Sequence, residues 1–318
     1  MNQTINNILD KIDDNTILLM EQVQFQNKHI FDDLSNNFKS ELGKEALMSL
    51  YYYMSISEKT LNQYRRRELF QANQNFKTLL SLENLFTEPV KNGMFSLHNS
   101  LLSYKNYVNG KYELAINEID EAINLAIEQS KTFPYFIIVI GEQWLNKIRV
   151  YIKLQNLNET IKETILLNRF LIYGEHENEI VENNLKAVPM EHRFQMITHV
   201  INSIDFAFNK AFNVSNNFYE VIAKEILVQK ELHTQIKDIE AAYKIIELKN
   251  TDTSAFLEYI DTNFESIKKT PKALQKYIFT EFLKICDEQN FEISKHLNNN
   301  YFSETLRYLN INLKQEFV

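Results

Sequence analysis

Residues 102–126, LSYKNYVNGKYELAINEIDEAINLA, decide the fold of this chain. A helix over about 91–108 ends at a turn, Asn109-Gly110, and a second helix follows. Tyr112, Ala115, Ile116, Ile119, Ala122, Ile123 and Ala126 recur at three- and four-residue steps, so they form one apolar stripe on that second helix. Ala115 and Ala122 are small enough to let neighbouring backbones approach, while Tyr107 and Tyr112 fill the wider gaps. A weaker copy lies roughly 45 residues on, with Trp144 and Tyr151 on its first helix and Leu157 and Ile161 opening its second. A period of that size is what stacked helix pairs produce.

Composition agrees with helix throughout. The chain has 318 residues and is 44% hydrophobic, enough for a substantial core. Only 5 Gly and 4 Pro occur, too few for the many tight turns of an all-β or α/β fold. Without glycine clusters there is no phosphate-cradling loop. The net charge of -8 argues against a general nucleic-acid binder, which needs a basic excess. Cys286 is the single cysteine, so neither an intrachain disulfide nor a multi-cysteine zinc site is expected. The N-terminal residues lack a basic segment followed by an apolar one, and no apolar run reaches membrane-spanning length; FPYFIIVIG at 133–141 is too short. The expected compartment is the cytoplasm, with no membrane contact.

The two helix pairs resemble tetratricopeptide repeats. That family places a Trp and, seven residues on, a Tyr on its first helix, as Trp144 and Tyr151 do here. On its second helix it places an aromatic, an Ala and a further Ala, as Tyr112, Ala115 and Ala122 do. The second unit departs from the pattern at Gln155, Thr160 and Leu167, and the repeat exceeds the ordinary ~34 residues. The resemblance implies an all-α superhelical solenoid that binds a peptide or protein segment on its concave face. Carried over by position, the groove residues are Ser100, Tyr104 and Tyr107 in the first unit and Glu142, Arg149 and Lys153 in the second.

Outside this region the expectation is an N-terminal helical region over 1–85, repeats over 86–175 and further helix hairpins over 176–318, either continuing the solenoid or capping it. Residues 14–42 read as one helix carrying Ile30, Phe31, Leu34 and Phe38, with Gly43 as its stop. Residues 45–82 read as two helices broken near Ser55-Ile56-Ser57, and Pro89 marks the next start. Leu232, Ile236, Ile239, Tyr243 and Ile246 keep a heptad for barely two turns of the pattern, so they read as packed helices, with a homodimer seam as the alternative. Thr270-Pro271 caps a helix whose inner face is Leu274, Tyr277, Ile278, Phe282 and Ile285, and Asn298–Asn300 precedes the last helix.

Chemistry-bearing constellations are sparse. None of the seven histidines has an acidic residue three positions before it, as a helical di-iron site requires. His192 and His199 are seven apart and read as helix-surface residues. There is no Gly-x-Ser-x-Gly elbow, and Cys286 has no histidine nearby in sequence. Neither a catalytic residue, a metal ligand nor a cofactor site is expected.

One motif competes with the scaffold reading. Residues 46–67, ALMSLYYYMSISEKTLNQYRRR, resemble the helix-turn-helix of DNA-binding regulators. Met54–Ser57 would be the turn and 58–67 the recognition helix, with Thr60 as a polar contact and Arg65, Arg66 and Arg67 toward phosphates or guanine edges. Tyr51 stands where that motif wants a small residue, and Ser55 replaces its usual Gly. On this alternative the chain is a ligand-responsive regulator whose repeats sense a peptide.

Overall fold

The computed structural model describes residues 1–14, 44–83, 86, 90–132, 134, 136–177, 179–212, 217–227 and 234–311. Beyond Asp14, the helix expected over 14–42 lies outside the described residues, as do its stop at Gly43, the start at Pro89, and Leu232, His29 and His233. Those described are helical, with turns and no strand. They form two compact units, one of residues 1–25, 164–173 and 193–318, the other of 26–163 and 174–192.

The second unit carries the decisive stretch. It contains α2 (Lys44–Arg65), α3 (Leu69–Glu83), α4 (Val90–Val108), α5 (Tyr112–Ser130) and α6 (Phe136–Lys153), then the start of α7 (Leu157–Tyr173) and all of α8 (Glu179–Ala187). Here α2 packs on α3 and α4, α4 on α5, and α5 on α6. Ala115, Ile119 and Val150 make a buried cluster against which Tyr107, Tyr112, Ile116 and Ile123 pack, half-buried. The stripe read from 112–126 is therefore the face that joins α5 to its neighbours.

Three helix ends in this unit close in the same way. Gly110 has φ 73°, its N–H reaches the Tyr107 carbonyl at 3.1 Å, and the Lys111 N–H reaches Asn106 at 2.9 Å. This pair of bonds around a left-handed residue is the Schellman stop. Gln155, φ 54°, repeats it through Ile152 and Tyr151, both at 3.0 Å. Arg67, φ 63°, repeats it again through Tyr64 at 3.1 Å and Gln63 at 2.9 Å. The three stops at 67, 110 and 155 are 43 and 45 positions apart, and in each case the next helix begins two residues later. Five residues past each stop lie Ala72, Ala115 and Thr160, all 0% exposed. The 44–83 segment is thus a third helix pair in register with the two read from sequence.

The break expected at Ser55–Ser57 is absent, because α2 runs without interruption from Lys44 to Arg65. No Gly or Pro interrupts that stretch, and the Thr60 hydroxyl donates to the Ile56 carbonyl one turn back at 2.7 Å, inside a continuous helix. The chain turns at Arg66–Glu68 instead.

The first unit contains α1 (Asn2–Asp14), the end of α7, most of α9 (Met190–Ala211), α10 (Asn217–Ile226), α11 (Thr234–Lys249), α12 (Thr253–Thr262), the one-turn α13 (Phe264–Ile267), α14 (Lys272–Glu288) and α15 (Asn300–Leu309). α1 buries Ile5, Ile8, Leu9 and Ile12 and packs on α12 and α15. Lys11 Nζ donates to the Asp261 carbonyl at 2.7 Å, and His296 Nδ1 lies 2.7 Å from Asp13 Oδ2. Ile236, Ile239, Tyr243 and Ile246 are buried on α11, which packs on α10, α12, α13 and α14, so this stripe faces the unit's own interior. The α14 face expected from sequence is buried throughout. Thr270 does not cap that helix, since its hydroxyl donates to Ile267; Asn202 Oδ1 instead accepts the Ala273 N–H at 3.0 Å. Among the described residues no helix is long and apolar enough to cross a membrane.

Candidate functional site

Of the first helices of the three pairs, α2 packs on α4, and Arg65 of α2 and Tyr104 and Tyr107 of α4 influence the charge of Arg149 on α6. α4 contributes Tyr104 and Tyr107, whose ring centroids are 5.8 Å apart. Tyr107 also meets Tyr112 edge-on at 5.8 Å and packs on the Val150 cluster. Arg149 precedes Val150 on α6, and it and the tyrosine pair alter each other's protonation.

The electrostatics of the cluster follow from partial burial and like charge. Burial pushes the Tyr107 phenol up, with Tyr104 and Tyr112 adding to the rise and Arg67 and Arg149 opposing it. Burial likewise lowers Arg149, where Glu142 favours the charged form and Arg65 disfavours it. Arg149 Nη1 donates to Asn146 Oδ1 at 2.9 Å, one turn back on its own helix. Arg65 makes a single long contact to Asn62 Oδ1, 3.5 Å, and stays exposed. Arg67 donates from Nη1 to the Val108 carbonyl at 2.8 Å, which ties the first turn to the end of α4.

The six residues expected in the groove separate as follows. Tyr104, Tyr107, Glu142 and Arg149 belong to this cluster. Ser100 is half-buried one turn before Tyr104. Lys153 is exposed at the last turn of α6, with no hydrogen bond or ion pair among the described residues. Of the four nucleic-acid candidates, Thr60 is 0% exposed and unable to touch a ligand. Arg65 and Arg67 join the tyrosine cluster, and Arg66 stands exposed between them. No recognition helix starts at Glu58, which sits mid-helix. Sequence reasoning missed the influence of Arg65 and Arg67 on this face, because an arginine at a left-handed stop leaves no sequence signal of the kind Gly110 gives.

α6 also carries a second polar network. Trp144 Nε1 donates to Glu163 Oε2 at 2.6 Å, and Lys147 bridges Asp120 at 2.9 Å and Glu163 at 3.4 Å. Burial would lower Lys147, but the two carboxylates outweigh it and hold its ammonium charged. The His176 ring meets Trp144 edge-on at 6.3 Å. Glu83 accepts from the Tyr53 hydroxyl at 3.1 Å and lies 2.6 Å from His98 Nδ1, joining α2, α3 and α4.

Cys286 is buried, and burial pushes its thiol up to about 12, away from nucleophilic reactivity. No group of three or more His, Cys, Asp or Glu side chains placed to hold a metal occurs among the described residues. Comparison with known proteins finds no matching family model, curated protein or solved structure.

Proposed function

We propose that this chain is a binding scaffold, a divergent tetratricopeptide-like helical solenoid that holds a peptide or protein segment against the face formed by α2, α4 and α6. The carrying observation is the repeated stop at 67, 110 and 155, each followed two residues later by a helix and five residues later by a fully buried small side chain, which sets three helix pairs in register. A stack of pairs with one turn geometry presents its first helices side by side, and an extended segment can meet them in succession. Half-buried tyrosines give such a segment apolar contact at low entropic cost, and arginines give it orientation. Because Thr60 is buried and α2 is unbroken, the arginines are better placed to serve this face than a DNA groove.

The test is affinity capture from the native host with wild-type protein and with Tyr104→Ala plus Arg149→Gln. A partner held by the wild type and lost from a double variant with an unchanged melting curve supports the reading. Equal retention of every partner by both proteins sinks the assignment of the face.

A further inference from the structure

The turns that close the three helix pairs lie at one end of the second unit. Arg67 Nη1 donates to the Val108 carbonyl at 2.8 Å, which sets the 66–68 turn against the end of α4. Ala115, five residues past Gly110, shares a buried cluster with Val150, five residues before Gln155, so the start of α5 and the end of α6 are level. The 66–68, 109–111 and 154–156 turns therefore form one edge. Its exposed cations are Arg65, Arg66, Arg67, Lys111 and Lys153, and none forms an ion pair with a carboxylate among the described residues. The exposed carboxylates there are Glu68 and Glu113, while Glu159 is taken by Lys162 at 3.6 Å. This positive edge belongs to a chain of net charge -8. Helix capping accounts for Arg67 but not for Lys111, which is the N-cap of α5, where a cation is disfavoured, and which makes no side-chain capping bond.

Apolar side chains stand among these charges. Phe70 is 73% exposed and Leu114 49%, and Leu154 and Leu157 are exposed as well, each within four residues of a stop. A phosphate backbone, with one charge per about 3.4 Å of strand, would meet Glu68 and Glu113, and leucines give a base no stacking surface. A protein segment that alternates acidic and apolar residues can set its carboxylates on the cations and its apolar side chains on Phe70 and Leu114, and leave the two glutamates clear. We propose that this turn edge docks such an acidic, apolar-studded segment of a partner protein. The surface uses neither Tyr104, Tyr107 nor Arg149, and it does not rest on the reading above.

The test applies fluorescent full-length protein to three bead-bound pools of random dodecapeptides: Asp and Glu mixed with Leu and Phe, Asp and Glu mixed with Ser and Asn, and Lys and Arg mixed with Leu and Phe. The first pool should retain the wild type about tenfold more than either of the others. On that pool Arg66→Glu plus Lys111→Glu, at two exposed positions, should lose about tenfold, and Phe70→Ser plus Leu114→Ser several-fold. Tyr104→Ala plus Arg149→Gln should bind as the wild type, as should Lys269→Glu, a reversal on an exposed side chain of the first unit. Each variant is compared once its melting curve matches the wild type, and Arg66→Gln plus Lys111→Gln replaces the reversals if they unfold early. Equal retention on all three pools, or a loss in Lys269→Glu as large as in the double reversal, overturns the proposal. A loss confined to Tyr104→Ala plus Arg149→Gln also overturns the edge, and leaves the binding face of α2, α4 and α6 intact. Stronger retention on a bead-bound single-stranded oligonucleotide pool than on the first peptide pool overturns it in favour of nucleic acid. Self-association of the wild type that the double reversal abolishes overturns it in favour of a second copy of this chain.

Discussion

Arg67 Nη1 donates to the Val108 carbonyl across 2.8 Å. Val108 is the last residue of α4, so its carbonyl lacks an intrahelical partner, and a cation there also meets the negative end of the helix. Arg67 is itself the left-handed residue of the preceding stop. One residue therefore ends α2 with its backbone and caps the C-terminus of α4 with its side chain.

From this dual role comes a ranking of variants. Arg67→Ala keeps the left-handed strain and loses the cap, and should destabilise the unit by about 1–2 kcal/mol. Arg67→Gly also loses the cap but relieves the strain, so it should be about 1 kcal/mol more stable than Arg67→Ala. Urea unfolding followed at Trp144, the single tryptophan and a member of the same unit, reads the difference. Equal stability of the two variants would refute the dual role.

The same geometry predicts opposite effects at the other two stops. A Cβ added at Gly110 meets nothing within 4 Å, so Gly110→Ala should cost only the backbone term, about 1 kcal/mol. Gln155→Gly removes strain at φ 54° and should gain up to about 1 kcal/mol. A loss of stability in Gln155→Gly would show that its side chain, not its backbone, sets that turn.

Acid should act on the first unit through Glu281 and Glu220. Burial pushes the Glu281 carboxyl up, but hydrogen bonds and charge from Lys249 and Lys284 outweigh it and leave it below the ordinary 4.5. Glu220 is lowered in the same sense by Tyr277, Asn250 and Lys249, again against burial. A carboxyl depressed by folding contributes stability that is complete above its unfolded value and fades as pH falls through the lower folded value. Stability should therefore drop below about pH 4.5, and Glu281→Gln, costing roughly 2 kcal/mol near neutrality, should make the drop shallower. Thermal melts from pH 3 to 7 check this; an unchanged acid slope in the variant contradicts it.

Trp144 fluorescence should report the neighbouring His176. Burial holds the His176 ring below the ordinary 6.5, with Glu177 partly opposing it. Because its folded value is depressed, the contribution to stability is complete above 6.5 and fades as pH falls. Protonation at 6.3 Å should quench the indole with a midpoint below 6.5. The step should vanish in His176→Gln, and a midpoint above 6.5 would contradict a half-buried ring held neutral by its surroundings.

Helical class and the 102–126 pair were legible because a single stripe with Gly110 at its end specifies both helices and the turn. The 44–83 pair was not, because its stop is Arg67, and arginine gives no sign of a left-handed backbone that glycine announces. Charge at 65–67 drew the reading toward nucleic acid, although the turn belongs after Arg65. Tyr104, Tyr107 and Arg149 were reachable through repeat position. The proximity of Arg65 was not, since it depends on how α2 packs on α4. Asn202 capping α14 bridges 71 residues of sequence and leaves no local trace.

Site-specific photo-crosslinking in the native host tests the binding face most directly. A benzophenone amino acid is placed at Tyr104 in one protein and at Phe206, which is 73% exposed in the first unit, in another. The account predicts a discrete crosslinked partner from position 104 that disappears with Arg149→Gln, and none from position 206. The same partner crosslinked equally at both positions, or from position 206 alone, would contradict it.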